Sequence, residues 1–276
     1  MDSKTGIIYD RRINDQVIHA DHAKDIFPHW QGEKECWMFL AAHDDDIVFG
    51  AGLTFLASLA EGIETHAVLA TSGSMGYCRE EYKYTIADIR RAEAAASFRD
   101  LGLPVENLHR LEYGDSGLYR NSGRRFADAD GPTVIAGATG LQNSFTWVLR
   151  KVRPTRLFLP SQTDLHPDHR MSADEMIISI FHAQGTIWPE LGPPLDAIPL
   201  LYEYATYSNF ITPPTLRVRT SEELLEKKIA GMLAYRSQEQ AELLLEVQRK
   251  TGSQEYLREM EFDILRPGMY DHLFNA

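Results

Sequence analysis

Short apolar runs alternate with stretches of helical periodicity along the first two thirds of the chain. Residues 36–42 (CWMFLAA) form a continuous apolar run, which indicates a buried strand. Residues 47–62 carry apolar side chains at helical spacing and end at a glycine, a common helix stop. The alternation continues with predicted strands at 64–72, 105–113 and 155–161, and predicted helices at 85–102, 132–154 and 171–183. This order predicts an α/β fold with a Rossmann-like, mostly parallel sheet flanked by helices.

Two segments interrupt this pattern. Residues 114–132 are rich in Gly, Asp, Ser and Arg and predict a long loop, and residues 185–199 predict an irregular connection rich in proline and glycine. We expect both segments to shape the rim of a pocket. Residues 200–208 predict a later strand, and the alternating residues 216–220 predict an edge strand.

The last part of the chain is predicted to be helical. Residues 221–238 form a strongly periodic segment that opens with Ser221, a favourable N-cap. Residues 239–276 are interpreted as a C-terminal helical extension. We therefore expect one domain over residues 1–276, with its core at about 36–240.

The composition is that of an ordinary globular protein, with 43% hydrophobic and 25% charged residues among 276. Because 40 acidic residues outnumber 28 basic ones, the formal net charge is −12. An acidic chain is a poor electrostatic partner for nucleic acids or an anionic membrane surface, and the short basic stretch at 123–126 does not reverse this. We therefore predict no nucleic-acid partner.

The cysteine content and the hydropathy of the chain indicate the cellular compartment in which it works. Two cysteines make neither a disulfide framework nor a cysteine-type zinc site. The polar N-terminus lacks the apolar core of a signal peptide, and no stretch approaches the roughly 20 apolar residues of a membrane span. These features predict a cytoplasmic protein without a membrane span, and they leave homo-oligomerisation open.

Two short motifs of histidine and aspartate each follow a predicted strand. The first places His43 before three consecutive aspartates at 44–46, and the second places His166 and His169 in the stretch DLHPDHR. Because the carboxyl ends of parallel strands meet at one edge of a sheet, we expect the motifs to converge there. Their joint presence is far more specific than either alone.

These residue types suit a catalytic metal. Zinc favours histidine nitrogen and aspartate oxygen, and a catalytic zinc has three protein ligands and an open position for water. A further aspartate can take a proton from that water, and a further histidine can stabilise an oxyanion or protonate a leaving amine. The candidates are His43, Asp45, Asp46, His166, Asp168 and His169. Iron, cobalt or manganese could occupy the same ligands.

The motifs resemble those of a known family. AHDDD at 42–46 looks like the AHPDDE motif of the PIG-L/LmbE family of zinc-dependent N-acetylglucosaminyl deacetylases, and LHPDH at 165–169 looks like its HPDH motif. The resemblance extends to the TSG loop at 71–73, the helix from Arg90 to Gly102, and KKIAGMLAYRSQ at 227–238. It covers roughly residues 36 to 240.

The resemblance implies roles for the residues at matching positions. His43, Asp46 and His169 would bind one zinc ion per chain, and Asp45 would be the general base. His166 would act as electrophile or general acid.

It also implies supporting roles and shows two departures. Asp168 would orient His166, and Arg90 would line the substrate pocket. Asp44 replaces the usual proline and Ile47 replaces the usual acidic residue. We expect Asp44 to be a solvated turn residue, and both departures bear on the substrate more than on the chemistry.

The implied activity is zinc-dependent hydrolysis of a linear amide, removing the acetyl group from an N-acetylated amino sugar of the N-acetylglucosamine type. Another N-acyl compound, a sugar–thiol conjugate or an antibiotic intermediate stays open as substrate. A non-haem iron enzyme using His43 and Asp45 is a remote alternative, because its usual fold is all-β. Without metal, His43 and Asp46 could simply form a hydrogen-bonded pair, and Asp168 could cap the following helix.

Overall fold

The structure is a computed structural model, and it describes residues 6–14, 16–264, 266 and 268–274. Its strands are β1 (Ile8–Ile13), β2 (Gln16–Ala20), β3 (Cys36–Ala41), β4 (Glu64–Thr71), β5 (Leu108–Tyr113), β6 (Arg125–Phe126), β7 (Ala138–Thr139), β8 (Arg156–Pro160), β9 (Leu200–Tyr204), β10 (Leu216–Arg219) and β11 (Gln254–Met260). Its α-helices are α1 (Asp46–Ala60), α2 (Ile86–Leu101), α3 (Leu141–Val152), α4 (Pro167–Gln184), α5 (Glu222–Leu233) and α6 (Ala241–Thr251). No helix among the described residues is long and apolar enough to cross a membrane.

Nine strands form one sheet in the order β2-β1-β10-β11-β9-β8-β3-β4-β5. The five strands from β9 to β5 run parallel, and the pairings from β9 to β2 are antiparallel. The predicted α/β fold with a parallel sheet flanked by helices is therefore confirmed, and an antiparallel group of strands extends that sheet on one side.

Strand β3 is apolar throughout because both of its faces are buried. Trp37 and Phe39 pack into a core that includes Phe55 of α1, whereas Met38 and Leu40 pack into a second core with Phe145 of α3. A parallel strand covered by helices on both faces buries every side chain, so its sequence shows no polar alternation. Packing against these two cores holds β3 in place, and the candidate site residues follow its carboxyl end.

The predicted helix at 132–154 begins later than expected. Residues 132–140 contain turns and β7, and α3 starts only at Leu141. Gly137 and Gly140 have φ angles of 74° and 110°, which a right-handed helix excludes. A Cβ atom at Gly140 would also collide with the carbonyl oxygen of Gly123. The glycines therefore end the preceding loop and set the helix start.

The expected edge strand is wrong, and the expected helical extension holds only for α6. Strand β10 lies inside the sheet between β1 and β11, and α6 is followed by β11 rather than by further helix. The inward face of β11 includes the charged Glu255, whose carboxylate accepts a hydrogen bond from the buried Lys228 ammonium at 2.6 Å. In the sequence, a glutamate that forms a buried ion pair cannot be distinguished from one that faces solvent. For this reason the strand was not predicted.

Candidate active site

The two sequence motifs occupy neighbouring strand-to-helix turns. Strand β3 ends at Ala41, and α1 begins at Asp46 after a tight turn that holds His43. Strand β8 ends at Pro160, and α4 begins at Pro167 with His166 as its N-cap. Because β3 and β8 are paired in parallel, both turns lie at the same edge of the sheet.

Three side-chain atoms form a compact triangle at this edge. Asp46 Oδ2 lies 3.4 Å from His43 Nδ1 and 3.1 Å from His169 Nε2, and the two ring nitrogens are 3.2 Å apart. A tetrahedral ion with Zn–N and Zn–O distances of about 2.0–2.1 Å separates its ligand atoms by about 3.3–3.4 Å. The triangle therefore has the size of one face of a zinc coordination tetrahedron.

The burial of Asp46 supports the same interpretation. Its side chain is fully buried, and Oδ2 accepts a hydrogen bond from the backbone N–H of His43 at 2.7 Å. The other carboxylate oxygen has no hydrogen-bond partner among the described residues. A buried carboxylate needs compensating positive charge, which a cation at the triangle would supply.

Further carboxylates surround the two histidines. His43 Nε2 lies 3.1 Å from Asp115 Oδ1 and 3.5 Å from Asp168 Oδ2. His169 Nδ1 lies 3.4 Å from Asp164 Oδ1, in contact but without hydrogen-bond alignment. A carboxylate at the outer nitrogen of an imidazole holds the proton there and leaves the inner nitrogen able to bind a metal.

Sequence reasoning missed two of these carboxylates. Asp115 stands two positions after Tyr113, the last residue of β5, and Asp164 stands two positions before His166. Asp164 also accepts hydrogen bonds from the backbone N–H groups of His166 and Tyr207. The position of Asp115 just past a third parallel strand is a signal that could have identified it.

Asp46 shifts the pKa of both histidines, and both histidines shift the pKa of Asp46. Burial by itself lowers the pKa of His169, but the neighbouring Asp46 carboxylate raises that pKa to about 9. Burial likewise lowers the pKa of His43, and Asp46 raises it well above the usual range. Burial raises the pKa of Asp46, but the two histidines bring it well below its usual value. A cation entering the triangle must therefore displace protons from the imidazoles.

His166 is held by the backbone of Asp168 rather than by its carboxylate. The Asp168 backbone N–H donates to His166 Nδ1 at 3.2 Å, so the neutral ring carries its proton on Nε2. The Asp168 carboxylate instead accepts from the backbone N–H groups of Ser116 and Leu118, at 2.7 and 3.2 Å. The Asp168 carboxylate thus faces the loop after β5 and His43, and the contact by which Asp168 can orient His166 is made by its backbone N–H.

Burial lowers the pKa of His166, and the nearby His43 and His169 lower it further. The ring therefore favours its neutral form. One ring nitrogen from each of these three histidines lies within 4.8 Å of the other two. His166 is thus placed as a neutral N–H donor beside the triangle.

Asp44 and Arg90 differ from their expected surroundings. Asp44 is fully buried rather than solvated, and it accepts a hydrogen bond from Arg90 Nε at 2.9 Å. Arg90 is itself 2% exposed, and its Nη2 lies 2.9 Å from Asp45 Oδ2. The guanidinium therefore joins two neighbouring aspartates and is almost fully buried, and its expected role in lining a substrate pocket stays a prediction.

Replacing Arg90 by leucine is expected to lower the free energy of unfolding by about 3–5 kcal/mol, because Asp44 would stay buried without a counter-charge. The matched control is Arg91→Leu on the same helix, whose side chain is 47% exposed and pairs with Asp88 and Glu112. That change should cost no more than about 1 kcal/mol. Urea denaturation of both variants measures the difference, and equal losses would contradict a buried role for Arg90.

A cavity of about 130 Å³ is lined by residues adjacent to the triangle, although not by the three residues of the triangle itself. Asp45 and Tyr207 both line it, and the Tyr207 ring stacks on His169 with 5.1 Å between ring centroids. Its other lining residues are Phe49, Gln238, Gln240, Leu243 and Leu244. The cavity wall thus holds a carboxylate, two aromatic rings and two side-chain amides, and Tyr207 connects it to the candidate ligand His169.

Comparisons with known proteins identify the family of this chain. A family model described as PIG-L, GlcNAc-PI de-N-acetylase, matches residues 38–179. A diacetylchitobiose deacetylase from Thermococcus kodakarensis is 28% identical over 131 residues, which are 46% of this chain and 42% of that protein. The chain therefore aligns with less than half of that relative's length.

Two solved structures share the fold. The conserved protein TT1542 from Thermus thermophilus superposes with a TM-score of 0.62 and 25% identity, over 84% of this chain and 97% of that one. N,N'-diacetylchitobiose deacetylase from Pyrococcus horikoshii superposes with a TM-score of 0.61 and 24% identity, over 87% of this chain and 86% of that one. The segment matched by the family model is just over half of the chain and contains both histidine–aspartate motifs. This chain belongs to the PIG-L family.

Proposed function

We propose that this protein is a zinc-dependent hydrolase that removes the acetyl group from an N-acetylated amino sugar of the N-acetylglucosamine type. The observation that carries the proposal is the triangle of His43 Nδ1, Asp46 Oδ2 and His169 Nε2, with sides of 3.1 to 3.4 Å. Two imidazoles and one carboxylate are a ligand set that zinc prefers. The family description and the printed name of the aligned relative favour deacetylation over other metal-assisted chemistry.

The metal is argued from the donors that this chain offers. His43, Asp46 and His169 would hold one divalent cation, and the unpaired Asp46 oxygen fits that role. When bound, the cation supplies Lewis-acid polarisation of an amide carbonyl and lowers the pKa of water to about 7. Nitrogen and oxygen donors at this spacing favour zinc, although iron, cobalt and manganese accept the same ligands.

Asp45 is the proposed general base. Its carboxylate lines the 130 Å³ cavity and is held by Arg90 Nη2 at 2.9 Å. That ion pair fixes the side chain while leaving the carboxylate at the cavity wall, where it can take a proton from attacking water. After attack, Asp45 can return the proton to the leaving amine.

His166 is the proposed electrophile. Because its Nδ1 accepts the Asp168 backbone N–H, the neutral ring offers Nε2–H as a donor. A donor fixed in advance stabilises the negative charge that develops on the carbonyl oxygen. Asp168 contributes by holding the loop after β5 against His43.

The cavity lining supports a sugar as substrate. The aromatic rings of Phe49 and Tyr207 can pack against the apolar face of a pyranose, and the amides of Gln238 and Gln240 can bond its hydroxyl groups. The same features also accept another small N-acyl compound, which stays the alternative substrate class. The iron alternative is weakened because Asp45, its proposed ligand, is paired with Arg90.

The test combines metal analysis with acetate release. Purified protein is examined by mass spectrometry for bound metal and assayed on N-acetylglucosamine and N,N'-diacetylchitobiose. About one zinc per chain with acetate released is expected. Zinc without acetate from either sugar would overturn the proposed substrate class and favour another amide, and a folded protein that binds no metal after reloading would overturn the mechanism.

Asp115 gives a separate prediction. Replacing it by asparagine is expected to weaken zinc affinity by about 10–100-fold, because the carboxylate partner of His43 Nε2 is lost. Competition with a chelating indicator measures the change. The control is Asp130→Asn, an exposed residue between β6 and β7. Equal affinities for the two variants would contradict the assigned contact.

A further inference from the structure

We propose a second metal site, formed by Cys36, Glu64 and His66 at the amino ends of β3 and β4. One potential ligand atom from each of the three lies within 4.8 Å of the other two. The site is at the opposite end of these strands from the active site, roughly 20 Å away along β3. It is independent of the proposed deacetylase function, and it would take a borderline-soft divalent cation such as zinc.

Strand pairing brings the three residues together. Cys36 is paired with Glu64 across the parallel β3–β4 ladder, and His66 is paired with Met38. Because side chains alternate along a strand, Glu64 and His66 share the face on which Met38 packs. Cys36 lies two positions before Met38 and shares that face. The cluster is thus set by the sheet register rather than by a flexible loop.

The contacts within the cluster suit metal binding. Glu64 Oε1 lies 3.1 Å from His66 Nε2, which is close to the ligand separation in a tetrahedral site. His66 Nδ1 lies 3.1 Å from His109 Nε2, and the two rings stack with 5.3 Å between centroids. His109 can therefore accept the outer proton of His66 and leave Nε2 free as a ligand.

The surroundings allow a cation to enter. Cys36 and Glu64 line a cavity of about 880 Å³, and the Glu64 side chain is 62% exposed. The Cys36 thiol faces the carbonyl oxygen of Val152, the last residue of α3, at 3.9 Å. Helix carboxyl ends carry partial negative charge and favour cations. The nearby Arg153 is paired with Asp196 at 2.7 Å, and this ion pair reduces the electrostatic repulsion between the guanidinium and a bound cation.

Metal binding at this second site requires only the release of one proton. The Cys36 thiol loses its proton to solvent as the sulfur–metal bond forms, while Glu64 and neutral His66 bind without further change. Three protein ligands leave a fourth position for water from the cavity. The competing interpretation is a buried thiol beside a hydrogen-bonded histidine pair, with Glu64 at the rim.

Cobalt distinguishes these interpretations because a thiolate ligand gives Co²⁺ a near-ultraviolet charge-transfer band. The active-site ligands contain no sulfur, so such a band reports a cysteine site alone. Titrating metal-free protein with Co²⁺ should bind about two equivalents per chain and produce the band. Cys36→Ser should abolish the band and one equivalent, whereas Cys78→Ser should keep both. His169→Ala should lose the other equivalent and keep the band.

Glu64→Gln protects the test against a folding defect at the buried Cys36. Its exposed side chain can be changed with the fold intact, and the cobalt affinity read from the band should fall by about tenfold or more. A folded wild type that gives no band at saturating Co²⁺, or a band lost in Cys78→Ser instead, would overturn the proposal. These experiments do not measure acetate release. A negative cobalt result would therefore leave the deacetylase proposal unaffected, and a negative acetate result would leave the second metal site unaffected.

Discussion

Asp45→Asn is expected to lower kcat by about 10²–10⁴-fold while zinc content stays at the wild-type level. The asparagine oxygen can still accept from Arg90 Nη2, which lies 2.9 Å from the native carboxylate, so the turn before α1 should keep its shape. What the amide cannot do is take a proton from attacking water. The loss should therefore fall on turnover and spare metal binding.

Steady-state acetate release and metal analysis on the same Asp45→Asn sample separate the two effects. Asp100→Asn, at the exposed end of α2, controls for removing one negative charge and should leave kcat unchanged. An unchanged rate in Asp45→Asn would show that another group takes the proton. Loss of zinc together with activity would instead assign Asp45 to the metal.

His169→Ala is expected to reduce bound zinc from about one per chain to nearly none, and kcat/KM by about 10³-fold or more. The substitution removes one corner of the triangle, 3.1 Å from Asp46 Oδ2. It also removes the imidazole that the Tyr207 ring covers at the cavity wall. Two remaining donors cannot fill a three-ligand site.

His182→Ala is the matched control, because it makes the same change near the other end of α4 against Trp188. Its zinc content should equal that of the wild type. Thermal denaturation of both variants checks that each is folded before metal is measured. Full zinc content in His169→Ala would move the ligand role to another group, and His166 is a candidate because one of its ring nitrogens lies within 4.8 Å of a ring nitrogen of His43.

Prediction from sequence succeeded where the information was local. The apolar run before His43 marks a buried strand, and the pattern of residues 171–183 marks most of α4, which begins four residues earlier than predicted. It failed where a residue's partner was distant. In the predicted helical extension Glu255 would be a surface residue. It lies instead in β11, within the sheet, and its carboxylate is paired with the buried Lys228. The roles of the individual catalytic residues stay predictions until the variants are measured.

Arg90 and Arg91 illustrate the same limit at the site. They are adjacent on one helix and have the same chemistry, yet one is 2% exposed and tied to two aspartates, and the other lies at the surface. Helical spacing from Ile86, Ala94 and Phe98 places position 90 on the buried face of α2, but it does not reveal what a buried arginine would pair with. The two aspartates that pair with Arg90 belong to the turn after β3, so only the tertiary structure shows them.

By itself the sequence determined the order of strands and helices in the parallel half and the two histidine–aspartate motifs at strand ends, because these depend on short-range pattern and side-chain chemistry. Only the tertiary structure decided that Asp44 is buried against Arg90, that Asp115 and Asp164 flank the histidines, and that β11 completes the sheet. Each of these rests on contact between segments far apart in the chain. Burial and ion pairing there are set by packing, which a linear pattern does not contain.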